Sequence, residues 1–195
     1  MVARPKTAVD EVFIVRVELD EVDPLVWRAL AVRSSMNLAG FHDVLQDAMG
    51  WTNSHLHEYV VGDERIGVPD PDDRTSLRDE RRVRLRDVLR KPRDQMFYDY
   101  DFGDNWRHIV RLESVIRATR GERYPILLAG ECACPPEDVG GPPGYEDFLK
   151  AIKDPAHEDH ESMLEWIGGS FDPDRFDKAR ARLKIGGGWG PSPGV

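Results

Sequence analysis

From Val12 to Leu19 (VFIVRVEL) apolar and polar positions alternate, with Phe13, Val15, Val17 and Leu19 on one side and Arg16 and Glu18 on the other. That period of two predicts a half-buried β-strand. Turn residues fill Asp20 to Pro24, and Val26 to Val32 (VWRALAV) resumes the alternation, so the chain is expected to open with an antiparallel hairpin. From Leu38 the spacing changes to three and four. Leu38, Phe41, Val44, Leu45, Ala48 and Met49 form the stripe of an amphipathic helix, with Asn37 as its cap and Gly50 as its stop.

His55 to Val61 and Val83 to Leu85 read as short strands. Between them DERIGVPDPDDR holds too many prolines and aspartates for regular structure and predicts a mobile loop. Met96 to Asp101 and Trp106 to Val115 alternate on either side of Phe102, Gly103, Asp104 and Asn105, the pattern of a second hairpin. After Gly121 a long proline- and glycine-rich loop leads to three helices. One carries Tyr145, Phe148, Leu149 and Ile152 behind Gly144; one carries Met163, Leu164 and Ile167 and stops at Gly168 and Gly169; the last runs from Pro173 to Lys184 with Phe176, Ala179 and Leu183. Without a βαβ rhythm, the class is α+β: a single domain with one mainly antiparallel sheet packed by several helices. Residues 1–10 are expected to be a flexible N-terminus, 11–185 the domain, and 186–195 a disordered glycine and proline tail.

The length of 195 residues and a hydrophobic fraction of 40% fit one domain with a real core. No apolar run approaches the roughly 20 residues that cross a bilayer. The first residues, MVARPKTAVDEVF, show no signal-peptide pattern, so a cytoplasmic location without a membrane partner is expected. Cys132 and Cys134 lie too close together to staple distant elements and are expected to be reduced. The net charge of −9 argues against a surface that grips nucleic acid throughout. It is unevenly spread: Arg74 to Arg93 holds nine basic residues against three acids, so this stretch carries +6 and the rest −15. It is either a solvated strand and loop beside acidic neighbours or, through Arg81, Arg82 and Arg84, a patch for nucleic acid or an acidic partner.

Two segments are dense in turn residues, aromatics and acids: Tyr98 to His108 (YDYDFGDNWRH) and Gly130 to Phe148 (GECACPPEDVGGPPGYEDF). On a strand Asp99 and Asp101 share a face, and Asp104 in the turn can fold beside them, giving three oxygen ligands for Mg²⁺, Mn²⁺ or Ca²⁺. The same aspartates can instead cap turn amides and pair with Arg107. Glu137 and Asp138 sit between Pro135–Pro136 and Gly140–Gly141, a rigid corner suited to a pocket or to a lid over the core. Glu137 with His108 would make an acid and base pair, but no nucleophile motif accompanies them. His55 with His57, or His157 with His160, could join the cysteines at zinc, although Cys-Ala-Cys is not the usual knuckle spacing. The expected groove is lined by Tyr98, Asp99, Asp101, Asp104, Trp106, Glu137 and Asp138, with a divalent cation as the candidate cofactor. It requires the hairpin tip and the proline corner to meet.

Four segments carry a resemblance: VELDEVDPLVWRALAV, LAGFHDVLQDAMGWTNSHLHEYVVG, FYDYDFGDNWRHIVRLE and GECACPPEDVGGPPGYEDFLKAI, together within Val12 to Phe176. In this order they resemble the plasmid pRiA4b ORF-3-like proteins, also described as passengers of IS1096-type elements and sometimes as resolvase-like. The resemblance implies a compact α+β domain associated with mobile elements. Serine recombination would need a nucleophilic serine among several arginines and a basic helical DNA-binding module. Ser34 and Ser35 lie near Arg28 and Arg33, but no such module follows, so recombinase activity is not expected. The reading is therefore a binding or interaction module of unidentified ligand, with nucleic acid or protein as candidate partner. The alternatives are a metal-dependent hydrolase or nuclease using the same carboxylates, and nucleic-acid binding through Arg74 to Arg93.

Overall fold

The computed structural model describes residues 11–70 and 77–187. Eight strands make one sheet: β1 (Glu11–Leu19), β2 (Trp27–Arg33), β3 (His57–Val61), β4 (Glu64–Gly67), β5 (Arg78–Asp79), β6 (Gln95–Tyr100), β7 (Trp106–Arg117) and β8 (Ile126–Glu131). Their order is β5-β4-β3-β6-β7-β1-β2-β8, antiparallel at every junction except the parallel pairing of β4 with β5. The helices are α1 (Leu38–Met49), α2 (Leu85–Val88), α3 (Gly141–Lys153), α4 (His160–Trp166) and α5 (Lys178–Gly187), with a 3₁₀ turn at Glu80–Arg82. This is the α+β architecture that the alternating and helical patterns imply.

Both expected hairpins form, with Val15 opposite Leu30 in β1–β2 and Tyr98 opposite His108 in β6–β7. Along β1, Val15, Val17 and Leu19 are buried while Arg16 and Glu18 are half-exposed, so one sheet face is covered and the other is open. On the open face Arg16 Nε donates to Glu18 Oε1 at 2.5 Å and its guanidinium lies 3.9 Å from the Trp27 ring. The predicted stripe of α1 is wholly buried. Asn37 Oδ1 accepts the Gly40 N–H at 2.9 Å, and Gly50 closes the helix in the left-handed conformation at φ 97°. One apolar cluster joins α1, the covered sheet face, Tyr145 and Phe148 of α3, and Ala181 and Ile185 of α5. Each large side chain so buried contributes about 1.5–3 kcal/mol.

Several expectations are corrected. The segment DERIGVPDPDDR begins as strand β4, because Gly62 turns the chain and Ile66 is fully buried opposite Tyr59; residues 71–76 of the expected loop lie outside the described residues. Val83 to Leu85 is a junction between the 3₁₀ turn and the start of α2, paired with the segment that leads into α1 through the bridge Asn37 to Arg84 and the bonds Leu38 N to Val83 O and Leu85 N to Met36 O. An edge strand, β8, precedes the proline corner. Helix α3 starts at Gly141, since Pro142 and Pro143 fit a first turn that needs no N–H donors. The last helix starts at Lys178, where Asp177 Oδ1 caps the Arg180 N–H at 3.0 Å, and it buries Ala181 and Ile185 while Leu183 is 76% exposed. It runs to Gly187, into the expected tail; residues 188–195 and the expected N-terminal segment 1–10 lie outside the described residues.

Two arginines tie β8 and its end to the rest of the fold. Arg28, 1% exposed, donates through Nε to Ala48 O at 2.9 Å, through Nη1 to Trp27 O and Glu131 O at 2.7 Å, and through Nη2 to Cys132 O at 3.0 Å. Its guanidinium stacks 3.7 Å from the Phe176 ring, and burial lowers its pKa to about 10. Arg182 Nε donates to Leu127 O at 3.1 Å, so α5 covers part of the β8 edge.

Candidate functional site

The hairpin tip and the proline corner meet. Strand β6 ends at Tyr100 because Asp101 turns into the left-handed region at φ 57°, its N–H donating to Leu56 O at 2.8 Å. Asp101 Oδ1 then accepts the Gly103 N–H at 2.9 Å, and Asp104 Oδ2 accepts the Gly140 N–H at 3.1 Å. At Gly141, φ 70°, a Cβ would collide with the Asp104 carbonyl oxygen, so the approach requires glycine. Glu137 locks the other end: Oε1 accepts the Tyr100 O–H at 2.7 Å, and Oε2 accepts the Thr52 N–H at 3.0 Å and the Thr52 hydroxyl at 2.6 Å. Burial and the Glu137 carboxylate raise the Tyr100 pKa, and the ring stacks on Trp51 at 4.9 Å. Trp51 in turn donates to Pro135 O at 2.9 Å.

Beside this clamp lie three groups from three segments. His55 Nδ1 is 3.5 Å from Asp101 Oδ2, and His55 Nε2 is 3.1 Å from Asp138 Oδ1, without hydrogen-bond geometry at the second contact. One ligand atom from each of His55, Asp101 and Asp138 lies within 4.8 Å of the others. The Asp138 side chain is 71% exposed and the Asp101 side chain 12%, so the cluster opens to solvent on the corner side. Asn53, Asp101, Asn105 and Asp138 all hold positive φ around it. Asparagine and aspartate tolerate that conformation best among residues with a side chain, and the concentration of strain marks a shape fixed by its surroundings.

The expected trio of Asp99, Asp101 and Asp104 is not brought together. Asp99 lies opposite Arg107 in the register and accepts both Nε and Nη2 at 2.9 Å. The left-handed turn at Asp101 ends the alternation that would have put it beside Asp99, and Asp104 is held by Gly140. Tyr98 and Trp106 are fully buried in the core and line no groove. Glu137 and His108 do not pair either: His108 Nδ1 reaches Tyr98 O and Trp106 O at 3.1 Å, and burial lowers its pKa to about 4. His157 and His160 bond locally, to the Asp159 N–H and to Ala151 O. Burial pushes the Cys134 thiol up to about 12. The sequence points to His55 with His57 as zinc ligands beside the cysteines, and not to His55 beside Asp101 and Asp138. The signal that could have found it is its place in a short polar turn, TNSHL, between a helix stop and a strand.

His55 also borders a groove of about 960 Å³, with His42, His57 and Glu80 in its wall and Leu56, Val68 and Phe102 exposed at its rim. The His42 and His57 rings stack 3.6 Å apart, and His57 Nε2 lies 2.8 Å from Glu80 Oε2. His42 Nε2 meets Asn53 Oδ1 and Nδ1 meets the Tyr98 hydroxyl, each at 2.7 Å, while that hydroxyl also accepts from Gln46 Nε2 at 3.0 Å. A neutral His42 carrying its proton on Nε2 satisfies every member of this set. Burial, then the neighbouring His57, lowers the His42 pKa to about 4. Of the basic residues singled out in the sequence, Arg82 pairs with Asp79 at 3.5 Å, whereas Arg81 and Arg84 line a second groove.

Comparison with known proteins gives this frame a family. The plasmid pRiA4b ORF-3-like proteins match residues 11–180, and the chain belongs to that family. It is 45% identical over 169 residues to an uncharacterised protein, y4hQ, of Sinorhizobium fredii (strain NBRC 101917 / NGR234), covering 86% of this chain and 84% of that one. The crystal structure of a protein of unknown function, MM3350 from Methanosarcina mazei Go1, is similar at a TM-score of 0.80 with 33% identity, covering 88% of this chain and 98% of that one. No helix among the described residues is long and apolar enough to cross a membrane.

Proposed function

We propose that this member of the pRiA4b ORF-3-like family is a binding module, holding its ligand through a divalent metal ion seated by His55, Asp101 and Asp138. The observation that carries this reading is the convergence of those three side chains within 4.8 Å from a loop, a hairpin tip and the proline corner. A carboxylate faces each ring nitrogen of His55. A neutral imidazole has only one proton, so one lone pair is left facing an oxygen unless a metal ion or a second proton intervenes. One imidazole and two carboxylates suit Mn²⁺, Fe²⁺ or Zn²⁺ better than Ca²⁺, which takes oxygen ligands alone. Three protein ligands leave positions for a bridged ligand, and the exposed rim of Leu56, Val68 and Phe102 offers it apolar contact. A cytoplasmic setting belongs to the same proposal, since two free cysteines suit a reducing compartment. The tie to plasmids rests on the family description, and a tie to mobile elements is part of the same proposal.

Isothermal titration with Mn²⁺ and Zn²⁺ tests it. One ion should bind per chain, and Asp101→Asn and His55→Ala should abolish the heat while circular dichroism is unchanged. No heat with the unaltered protein would overturn the reading.

A further inference from the structure

We infer that a second site, separate from the His55 cluster, binds a phosphate group carried on a small molecule, in the groove where Arg33, Arg81, Arg84 and Arg123 converge. The groove encloses about 640 Å³. Its arginines come from the end of β2, the 3₁₀ turn, the start of α2 and the connection between β7 and β8. Backbone pairing fixes their relation: Leu38 N donates to Val83 O at 2.9 Å, Leu85 N to Met36 O at 2.9 Å and Arg86 N to Ser34 O at 3.0 Å. Arg33, Arg81 and Arg84 are therefore carried on or beside two zipped segments, and Arg123 reaches the groove from the connection between β7 and β8.

Charge gives the ligand its sign. Four arginines and one glutamate leave the wall at +3, on a chain whose net charge is −9. That glutamate, Glu122, already accepts the Tyr124 O–H at 2.7 Å. The side chains of Arg81, Arg84 and Arg123 make no ion pair among the described residues. The guanidiniums of Arg81, Arg84 and Arg123, gathered in one groove, repel one another, and a bound dianion turns that repulsion into charge-assisted hydrogen bonds, which arginine makes in pairs to phosphate oxygens. The exposed hydroxyl of Ser35 adds a donor on the same wall. Met36, Pro125, Ile185 and the Tyr124 ring supply an apolar floor, with the Arg33 guanidinium 5.4 Å from that ring. A phosphate ester with an apolar or aromatic body matches both halves. A nucleic-acid backbone matches less well, because Arg82, outside the groove, is drawn to Asp79.

The test uses phenyl phosphate, inorganic phosphate, phenol and a short DNA duplex, titrated into the whole chain by calorimetry. Phenyl phosphate should bind more tightly than inorganic phosphate, and phenol should not bind. Arg84→Gln and Arg123→Gln should each weaken phenyl phosphate roughly tenfold or more. Arg82→Gln should leave it unchanged, and thermal melts should show all three variants folded. Absence of phenyl phosphate binding, or binding that survives the double change at Arg84 and Arg123, overturns the site. Duplex binding tighter than phenyl phosphate, lost in the same variants, overturns the small-molecule ligand.

Discussion

The junction between the hairpin tip and the proline corner has a closed side and an open side, built from adjacent residues. On the closed side Glu137 accepts three hydrogen bonds, and beneath it His42, Tyr98 and Gln46 complete a buried set with every partner met. On the open side Asp138, the next residue, reaches solvent and one nitrogen of His55. Carboxylates that look alike in the sequence thus divide into those whose bonding is complete and those left available. What separates them is backbone conformation: Asp101 and Asp138 each sit at positive φ, which rotates them out of the pattern of their neighbours.

The largest expected effect strikes the buried set beneath the closed side. His42 and His108 each have a folded pKa of about 4 against 6.5 for the free side chain. Both are held neutral, so their contribution is present in full above pH 6.5 and is lost as the pH falls from there to about 4. The loss should reach on the order of 3 kcal/mol per histidine, measured as unfolding free energy by urea titration across that range. A flat profile would mean that both imidazoles take up their protons as readily in the folded protein as in the unfolded chain. Gly141→Ala strikes both sides at once, because its Cβ collides with the Asp104 carbonyl. It should cost about 2–3 kcal/mol and weaken metal binding together with stability. Glu137→Ala should cost about 2 kcal/mol, since it strands the Tyr100 hydroxyl and the Thr52 amide; equal stability by thermal melt would show that the clamp carries no weight. Asp138→Ala should change stability by no more than about 0.5 kcal/mol while abolishing the Mn²⁺ heat. That split between stability and binding is the sharpest form of the contrast.

The legible parts of the fold were those where burial imposes a regular period. β1, β2, β6 and β7 pack one face against helices, and their alternation shows it. Helix α1 is equally plain, with Asn37 and Gly50 marking its ends. β4 was hidden because four residues with a single buried aliphatic, Ile66, carry no period. β8 was hidden because a register shift at Ala29/Leu30 breaks its pairing with β2 and leaves Leu128 exposed. The start of α5 was readable from the Asp177 cap but lay behind Pro173, a stronger-looking signal. For the site, sequence brought the two loops into view, and the structure places them in contact through Asp104 and Gly140. Which aspartates face which way depended on left-handed turns at non-glycine residues, and composition does not announce those.

The hydrogen bond from Arg182 to Leu127 has an effect beyond its own strength. β8 is the last rung of the ladder, and its outward amides and carbonyls are the natural template for a strand from another copy. By laying α5 along that rim the chain hides its stickiest backbone behind a helix. That rim is thus guarded by the final described helix, and a chain cut before Lys178 should leave it open to strand pairing.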